Sequence, residues 1–255
     1  MVEYPLTKAN RLRLAQAFSD VTRVDMSIPA CLEDQMGEAF VDDLQNPTVF
    51  RIQQGPFFYL TGDATSEHGR KAIEGLPVFN LFMHSADGFQ ERAKEIHGES
   101  LIGHERTSFS QEAVSLEGLN KIIAESPHSE AIKQMDTAFV EGLWGQDHWF
   151  DVSDFGSAAA FIDCAIGFYL KEGEDLVGAA YASLVCSLGI EVSVFVEEAH
   201  RQKGIATVLS AFLVRWCLER GWLANWDAAN PESCKLAEKL GYTESGKYNA
   251  YFLKG

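Results

Sequence analysis

The 255 residues contain no apolar run of ~18, the length a membrane-crossing helix needs. No basic and then apolar stretch opens the chain, so neither export nor a membrane span is expected. Cys-x-x-Cys is absent. Cys31, Cys164, Cys186, Cys217 and Cys234 are scattered, and no Cys or His pair has zinc-ligand spacing. That pattern argues against a disulfide framework or a metal site and predicts reduced thiols in a cytoplasmic protein. Positive charge is scarce: 21 Lys and Arg stand against 37 Asp and Glu, for a net charge of -16. The deficit is even, with 11 against 19 in residues 1–128 and 10 against 18 in residues 129–255, which is -8 in each part. Such a surface repels nucleic acid and anionic membranes. It suits a cationic small molecule, or simply keeps the protein soluble. Internal repeats and low-complexity stretches are also missing. Neither G-x-G-x-x-G nor G-x-x-x-x-G-K-[ST] occurs, so a dinucleotide oxidoreductase and a P-loop NTPase lack support.

Apolar side chains make up 46% of the chain, enough for a sizeable core. The clearest break is Glu125-Ser126-Pro127-His128, polar with a proline. It predicts a smaller N-terminal α/β domain over 1–126 and a second α/β domain over 127–255. In the first, Leu12, Leu14, Ala17 and Phe18 have helical spacing, and Asp87 to Ile96 reads as a helix. Thr48 to Ile52 and Phe57 to Leu60 read as strands around a turn, with a third strand over Val78 to Phe82. His68, His84, His97 and His104 lack ligand spacing and read as ordinary histidines.

The second part carries the chemistry. Ala165–Leu170 and Leu176–Val185 flank a turn and predict a hairpin, followed by a strand over Ile190–Val196. On that strand Ile190, Val192, Val194 and Val196 share one face, and Glu191, Ser193 and Phe195 the other. A helix is predicted from about Lys203 to Glu219, with Ile205, Val208, Leu209, Phe212, Leu213 and Trp216 as its apolar stripe. A short strand, Leu223 to Trp226, and a helix, Pro231 to Leu240, follow. Asn230 is the expected N-cap and Gly241 the stop. The tail reads as closing strands.

Strand, turn, helix and strand make a right-handed β-α-β unit. Its turn ends in Arg201-Gln202-Lys203-Gly204-Ile205-Ala206. A helix N-terminus offers unpaired N–H groups and the positive end of the helix dipole, which suits phosphate. Gly204 allows close backbone approach, Ala206 keeps the mouth clear, and Arg201 and Lys203 add cations. The competing reading of the two cations is a solvated turn.

These residues resemble the R-x-x-G-x-G/A pyrophosphate loop of the GNAT acetyltransferase superfamily. Asn230, Ser233, Leu236 and Leu240-Gly241-Tyr242 resemble its next motif, N-x-x-S-x-x-L-x-x-x-L-G-F/Y, in the right order. With Trp226-Asp227-Ala228-Ala229-Asn230 the pattern is similar to zwittermicin A resistance-like GNAT proteins. The resemblance covers residues 129–255; residues 1–128 resemble only that subfamily's N-terminal region.

The resemblance implies a mixed, mainly antiparallel sheet with helices on both faces, in which strands 190–196 and 223–226 run parallel and splay apart. Acetyl-CoA would lie in the splay, its pantetheine along Val194 and Val196 and its pyrophosphate on residues 201–206. An N–H near Phe195 would hold the oxyanion of a tetrahedral intermediate. Asn230 and Ser233 would line the pantetheine, a role compatible with Asn230 as a plain cap. The expected activity is direct acetyl transfer to a primary amine of a small molecule. Glu191 is the first candidate base, with a surface strand residue as the alternative. Asp227 is the second, or else a structural turn residue. Many relatives carry a tyrosine acid six residues after the motif asparagine, where this chain has Ala237. Tyr242 is the candidate substitute, with Tyr248 and Tyr251 behind it, each otherwise a packing residue. Trp144 to Phe150 corresponds to a substrate-facing loop whose aromatics bound the acceptor, or is a packed loop. The competing function is an inactive acyl-CoA-binding sensor or scaffold, which Ala237 leaves open.

Overall fold

The computed structural model describes residues 1–83, 85–86, 88–144 and 152–255. They form two compact units: Met1–Arg106 with Lys247–Gly255, and Thr107–Gly246. The polar break at Glu125–His128 thus lies inside the second unit, between a helix and the next strand, and the last nine residues belong to the first.

In the first unit the order is β1 (Val2–Glu3), α1 (Lys8–Ala17), α2 (Ser27–Leu32), β2 (Glu38–Val41), β3 (Val49–Gln54), β4 (Phe57–Gly62), α3 (Glu67–Glu74), β5 (Leu81–Phe82), α4 (Phe89–His97) and β6 (Leu101–Ser110). Strands β1 to β4 pair antiparallel, and β4 pairs parallel with β5. The predicted Val78–Phe82 strand shrinks to two residues. Phe79 stands at φ 62°, a left-handed conformation that breaks the extended run and leaves Val78 with a single bridge to Leu253. Leu14 of α1 and Phe18 at its C-cap are buried as expected, but Leu12 faces solvent. Two apolar clusters flank this sheet, one around Ile52 and Tyr59, the other around Phe58, Phe82 and Ile73.

In the second unit α5 (Leu116–Glu125) precedes β7 (Lys133–Gln134), α6 (Thr137–Leu143), α7 (Ala158–Cys164), β8 (Gly167–Glu172), β9 (Asp175–Cys186), β10 (Gly189–Val196), α8 (Ile205–Leu218), β11 (Leu223–Ala228), α9 (Pro231–Leu240) and β12 (Thr243–Leu253). Strands β7 to β10 pair antiparallel, β10 pairs parallel with β11, and β11 pairs antiparallel with the end of β6. From β7 onward the order is β-α-α-β-β-β-α-β-α-β, the order of the first unit, although no sequence repeat announces it. The closing strands are exchanged. Phe109 of β6, the last strand of the first series, pairs with Trp226, and Tyr251 of β12, the last of the second, pairs with Phe82.

Helix α8 contacts β8 to β11 and also α5 and α9. Its burial is therefore wider than the predicted stripe: Ala211, Val214 and Cys217 are buried, while Phe212 and Trp216 are only partly so. Among the described residues no helix is long and apolar enough to cross a membrane.

Candidate active site

The sheet of the second unit has two distinct faces. The row Phe168–Ala180–Val194 runs across β8, β9 and β10, and Phe168 meets Phe212 of α8 at 5.6 Å between ring centroids. The next row, Tyr169–Ala179–Phe195, faces the other way, where Phe139 of α6 stacks on Tyr169 at 3.7 Å. Ile190, Val192, Val194 and Val196 all join the apolar cluster, whereas Phe195 does not, as the alternation predicts.

β10 and β11 pair only at Gly189–Leu223, Ile190–Ala224 and Glu191–Asn225. Beyond that point β11 turns its pairing to β6, and no described strand pairs with Val192–Val196 on that side. The register shows what the gap exposes. Glu197 N donates to Val177 O at 2.8 Å, so the hydrogen-bonded pairs with β9 fall on Phe195–Ala179 and Ser193–Tyr181. Val192, Val194 and Val196 therefore direct their backbone N–H and C=O groups into the gap. Val196 O accepts from Arg201 Nε at 3.1 Å, which ties the following turn to the strand end. By the same parity the N–H of Phe195 points toward β9, and the neighbouring N–H groups that face the gap are those of Val194 and Val196. Gly189 opens the parallel pair at φ 146°, where an added Cβ would lie 1.9 Å from Leu223 O; only glycine allows this approach.

The turn continues from Arg201 to Gly204. Gln202 and Gly204 are left-handed, at φ 62° and 81°, and α8 starts with no side chain capping its first N–H groups. An added Cβ at Gly204 would meet nothing within 4 Å, so the space before the helix is open. Arg201 and Lys203 are exposed beside it. His128 Nε2 donates to Lys203 O at 3.2 Å, pinning the loop from the segment after α5. The first N–H groups of α8, without a side-chain cap, thus face this open space, with two cations at its rim. Its donor set fits a pyrophosphate, and the open edge of β10 fits the amides of a pantetheine arm.

The first unit repeats the topology with the same places filled. Beyond Phe58–Phe82, Leu60 N donates to Ser85 Oγ at 2.9 Å and Leu60 O accepts from Ala86 N at 3.1 Å. Helix α3 is capped by Ser66, whose Oγ accepts from Gly69 N at 2.9 Å, and Glu67 stands in its first turn.

Glu191 sits at the last paired register before the strands part. Its Oε2 accepts from Asn225 Nδ2 at 2.9 Å, and Asn225 is 6% exposed. Asp227 lies within β11, opposite Ser108 of β6, because the strand runs two residues further than its apolar pattern suggests; it is not a turn residue. Asn230 is the N-cap of α9, its Oδ1 accepting from Ser233 N at 2.9 Å, and Ser233 Oγ accepts from Trp226 Nε1 at 3.1 Å. Tyr242 is placed against a role as acid. Its hydroxyl donates to Ala224 O at 2.7 Å in a buried site. Burial pushes its pKa well above the ordinary value, and the neighbouring Cys217 and Glu191 add to the rise at the high pH where the phenol would ionise. Tyr248 and Tyr251 pack in the cores of the first unit. Ala237 is fully buried. Of the loop Trp144–Phe150 only Trp144 is described; the rest, and His84, lie outside the described residues.

Three residues at the site escaped the sequence reading: Asn225, His128 and Gln111. Gln111 holds the start of β11, its Oε1 accepting from Ala224 N at 2.8 Å and its Nε2 donating to Trp222 O at 3.3 Å. Only Asn225 left a signal, a polar residue alternating with Ala224 and Trp226 in an apolar strand.

The family model of the GNAT acetyltransferases matches residues 19–251. The chain is 24% identical over 247 residues to YdfB of Bacillus subtilis, described as an uncharacterized N-acetyltransferase, covering 90% of this chain and 87% of that one. A GCN5-related N-acetyltransferase-like protein from Streptococcus suis superposes with a TM-score of 0.82 at 28% identity, over 96% of this chain and 98% of the other. A tandem GNAT protein of the clavulanic acid biosynthesis pathway shares the fold at a TM-score of 0.51 and 9% identity, over 98% and 96% of the two chains. The splayed parallel pair, the uncapped glycine turn and a family match spanning nearly the whole length lead to one conclusion: the chain belongs to the GNAT acetyltransferase family and is an acyltransferase.

Proposed function

We propose that the second unit transfers an acetyl group from acetyl-CoA to the primary amine of a small molecule, with Glu191 as the base. The observation that carries this reading is the gap between β10 and β11, open along Val192–Val196 and closed at its foot by Glu191 and Asn225. In this reading Val194 and Val196 pair with the pantetheine, and residues 201–206 receive the pyrophosphate. Asn230 and Ser233 shape the far wall through α9. When bound, the coenzyme supplies an acetyl group activated as a thioester. An alkylamine with a pKa of about 10.4 arrives protonated near neutral pH and cannot attack until that proton leaves. Glu191 accepts it directly or through a water, and the lone pair then attacks the carbonyl. The N–H of Val194 or Val196 stabilises the developing oxyanion. With Tyr242 buried and Ala237 in the place of the family tyrosine, no protein acid is assigned to the leaving thiolate. A thiol of pKa about 8.5 departs without one. The even acidity of the chain favours a cationic acceptor over nucleic acid or a membrane. The similarity around Trp226–Asn230 supports a place near the zwittermicin A resistance-like proteins.

Thiol release from acetyl-CoA across a panel of small amines tests the proposal. Amine-dependent release is expected, and Glu191→Gln should lower turnover by about 10²–10⁴-fold with coenzyme affinity unchanged. Tight binding of acetyl-CoA with no release for any amine would favour the sensor reading instead.

A further inference from the structure

We infer that Asn225 is a positioning residue for the reaction, acting through Glu191; the inference rests on the reading of Glu191 as base. The two residues form the last rung of the parallel pair, so their side chains project on the same face just where β10 and β11 part. Asn225 is buried and in the middle of a strand whose flanking residues, Ala224 and Trp226, belong to the apolar cluster. A buried amide in such a place is costly unless its polar atoms are paired. Its Nδ2 donates to Glu191 Oε2 at 2.9 Å. Two consequences follow. The hydrogen bond fixes the carboxylate at the foot of the gap, where the thioester and amine would meet. It also stabilises the ionised form and so holds Glu191 as a base while partial burial works the other way. The register that places the pair is itself pinned. Gly189 sets the strands in close approach two rungs earlier, and Gln111 grips the backbone of Ala224 next to Asn225.

Among the described residues, the titratable groups near this pair include Asp227, on the same face of β11 two residues on, and Tyr242 with Cys217 beside it. Burial raises the Tyr242 phenol well above its ordinary value and the Cys217 thiol to about 12, so both stay neutral around pH 7. Neither of these two groups therefore supplies the acidic limb of the rate profile, which the inference assigns to Glu191.

The test is a double-mutant cycle read by kcat/KM against pH, with coenzyme affinity and melting temperature as controls. Asn225→Leu keeps the branched shape and removes the donor. It should lower kcat/KM by about 10- to 100-fold, the worth of a hydrogen bond to a charged group. The acidic limb should move to higher pH while coenzyme affinity holds. In a Glu191→Gln background the same substitution should cost nothing further, because the group it acts through is gone. Asn225→Asp, nearly isosteric, puts a like charge against Glu191 and should raise the limb further. An equal loss from Asn225→Leu in both backgrounds, or an Asn225→Asp limb in its wild-type place, overturns the inference. Normal turnover of Glu191→Gln alone overturns the reading of the base instead, so the two failures are distinguishable.

Discussion

Gly204 stands at φ 81° before an uncapped helix, with open space where a side chain would go. Replacing it with glutamate forces a left-handed non-glycine residue, a strain of about 1–3 kcal/mol. It also sets a carboxylate in the cradle assigned to the pyrophosphate. We expect Gly204→Glu to remain folded with a modestly lower melting temperature and to lose acetyl-CoA binding, as measured by calorimetry; unchanged affinity would mean that the cradle binds something else. Asp42 makes a different point, because its role is in stability. Burial alone would raise its carboxyl pKa. Hydrogen bonds from Val49 N, from the Thr48 hydroxyl and from Thr48 N outweigh that and bring it down to about 2 from 3.8. His68 Nδ1 adds a contact at 2.8 Å. A depressed carboxylate contributes stability that is complete above the unfolded pKa and lost as pH falls through the folded one. Asp42→Ala should therefore cost about 2 kcal/mol at pH 7. Denaturant midpoints should show the difference shrinking from pH 4 downward; a constant difference from pH 7 to 2 would contradict this account.

Helix α9 shows how one segment serves two ends. Pro231 fills the first helical position, Asn230 caps it through Ser233 N, and Gly241 ends it at φ 96°. Asn230→Ala removes the cap and should cost about 1 kcal/mol, while Asn230→Ser should keep most of the stability. Urea unfolding with an unchanged slope would show it, and equal midpoints for the Ala variant and the wild type would deny the cap any weight. All three cap residues are visible as residue types, because capping is local. Strand β11 is the counter-example. Its apolar run ends at Trp226, yet β6 pairs with it through Ala228 and draws Asp227 into the sheet. No local pattern contains that partner.

The two units share one order of elements but not one set of open edges. In the second, β10 is open beyond Glu191 and α8 is uncapped; in the first, Ser85 and Ala86 fill the edge of β4 and Ser66 caps α3. Among the described residues, an open strand edge beside an uncapped glycine turn is thus found in the second unit and not at the equivalent place of the first. We expect one acetyl-CoA per chain by calorimetry, with Gly204→Glu removing all of it; two equivalent sites, or a site surviving that substitution, would show that the first unit binds the coenzyme too.

The glycine turn before α8, the β-α-β order around it, the caps of α9 and the alternating faces of β10 were legible in the sequence, because each depends on neighbours within about a dozen residues. The base candidate Glu191 was legible as a carboxylate on the strand face opposite Ile190 and Val192. Its partner was not, since Asn225 stands 34 positions away and meets it only through the parallel register. The same holds for Tyr242, whose sequence position suited an acid until the fold buried its hydroxyl against Ala224. The division of the chain was also a tertiary decision. Strand exchange gives residues 107–110 to one unit and 247–255 to the other, and pairing over more than a hundred residues leaves no periodicity to read. Propensity and patterning act along the chain, whereas register, burial and strand exchange are settled only when distant segments pack.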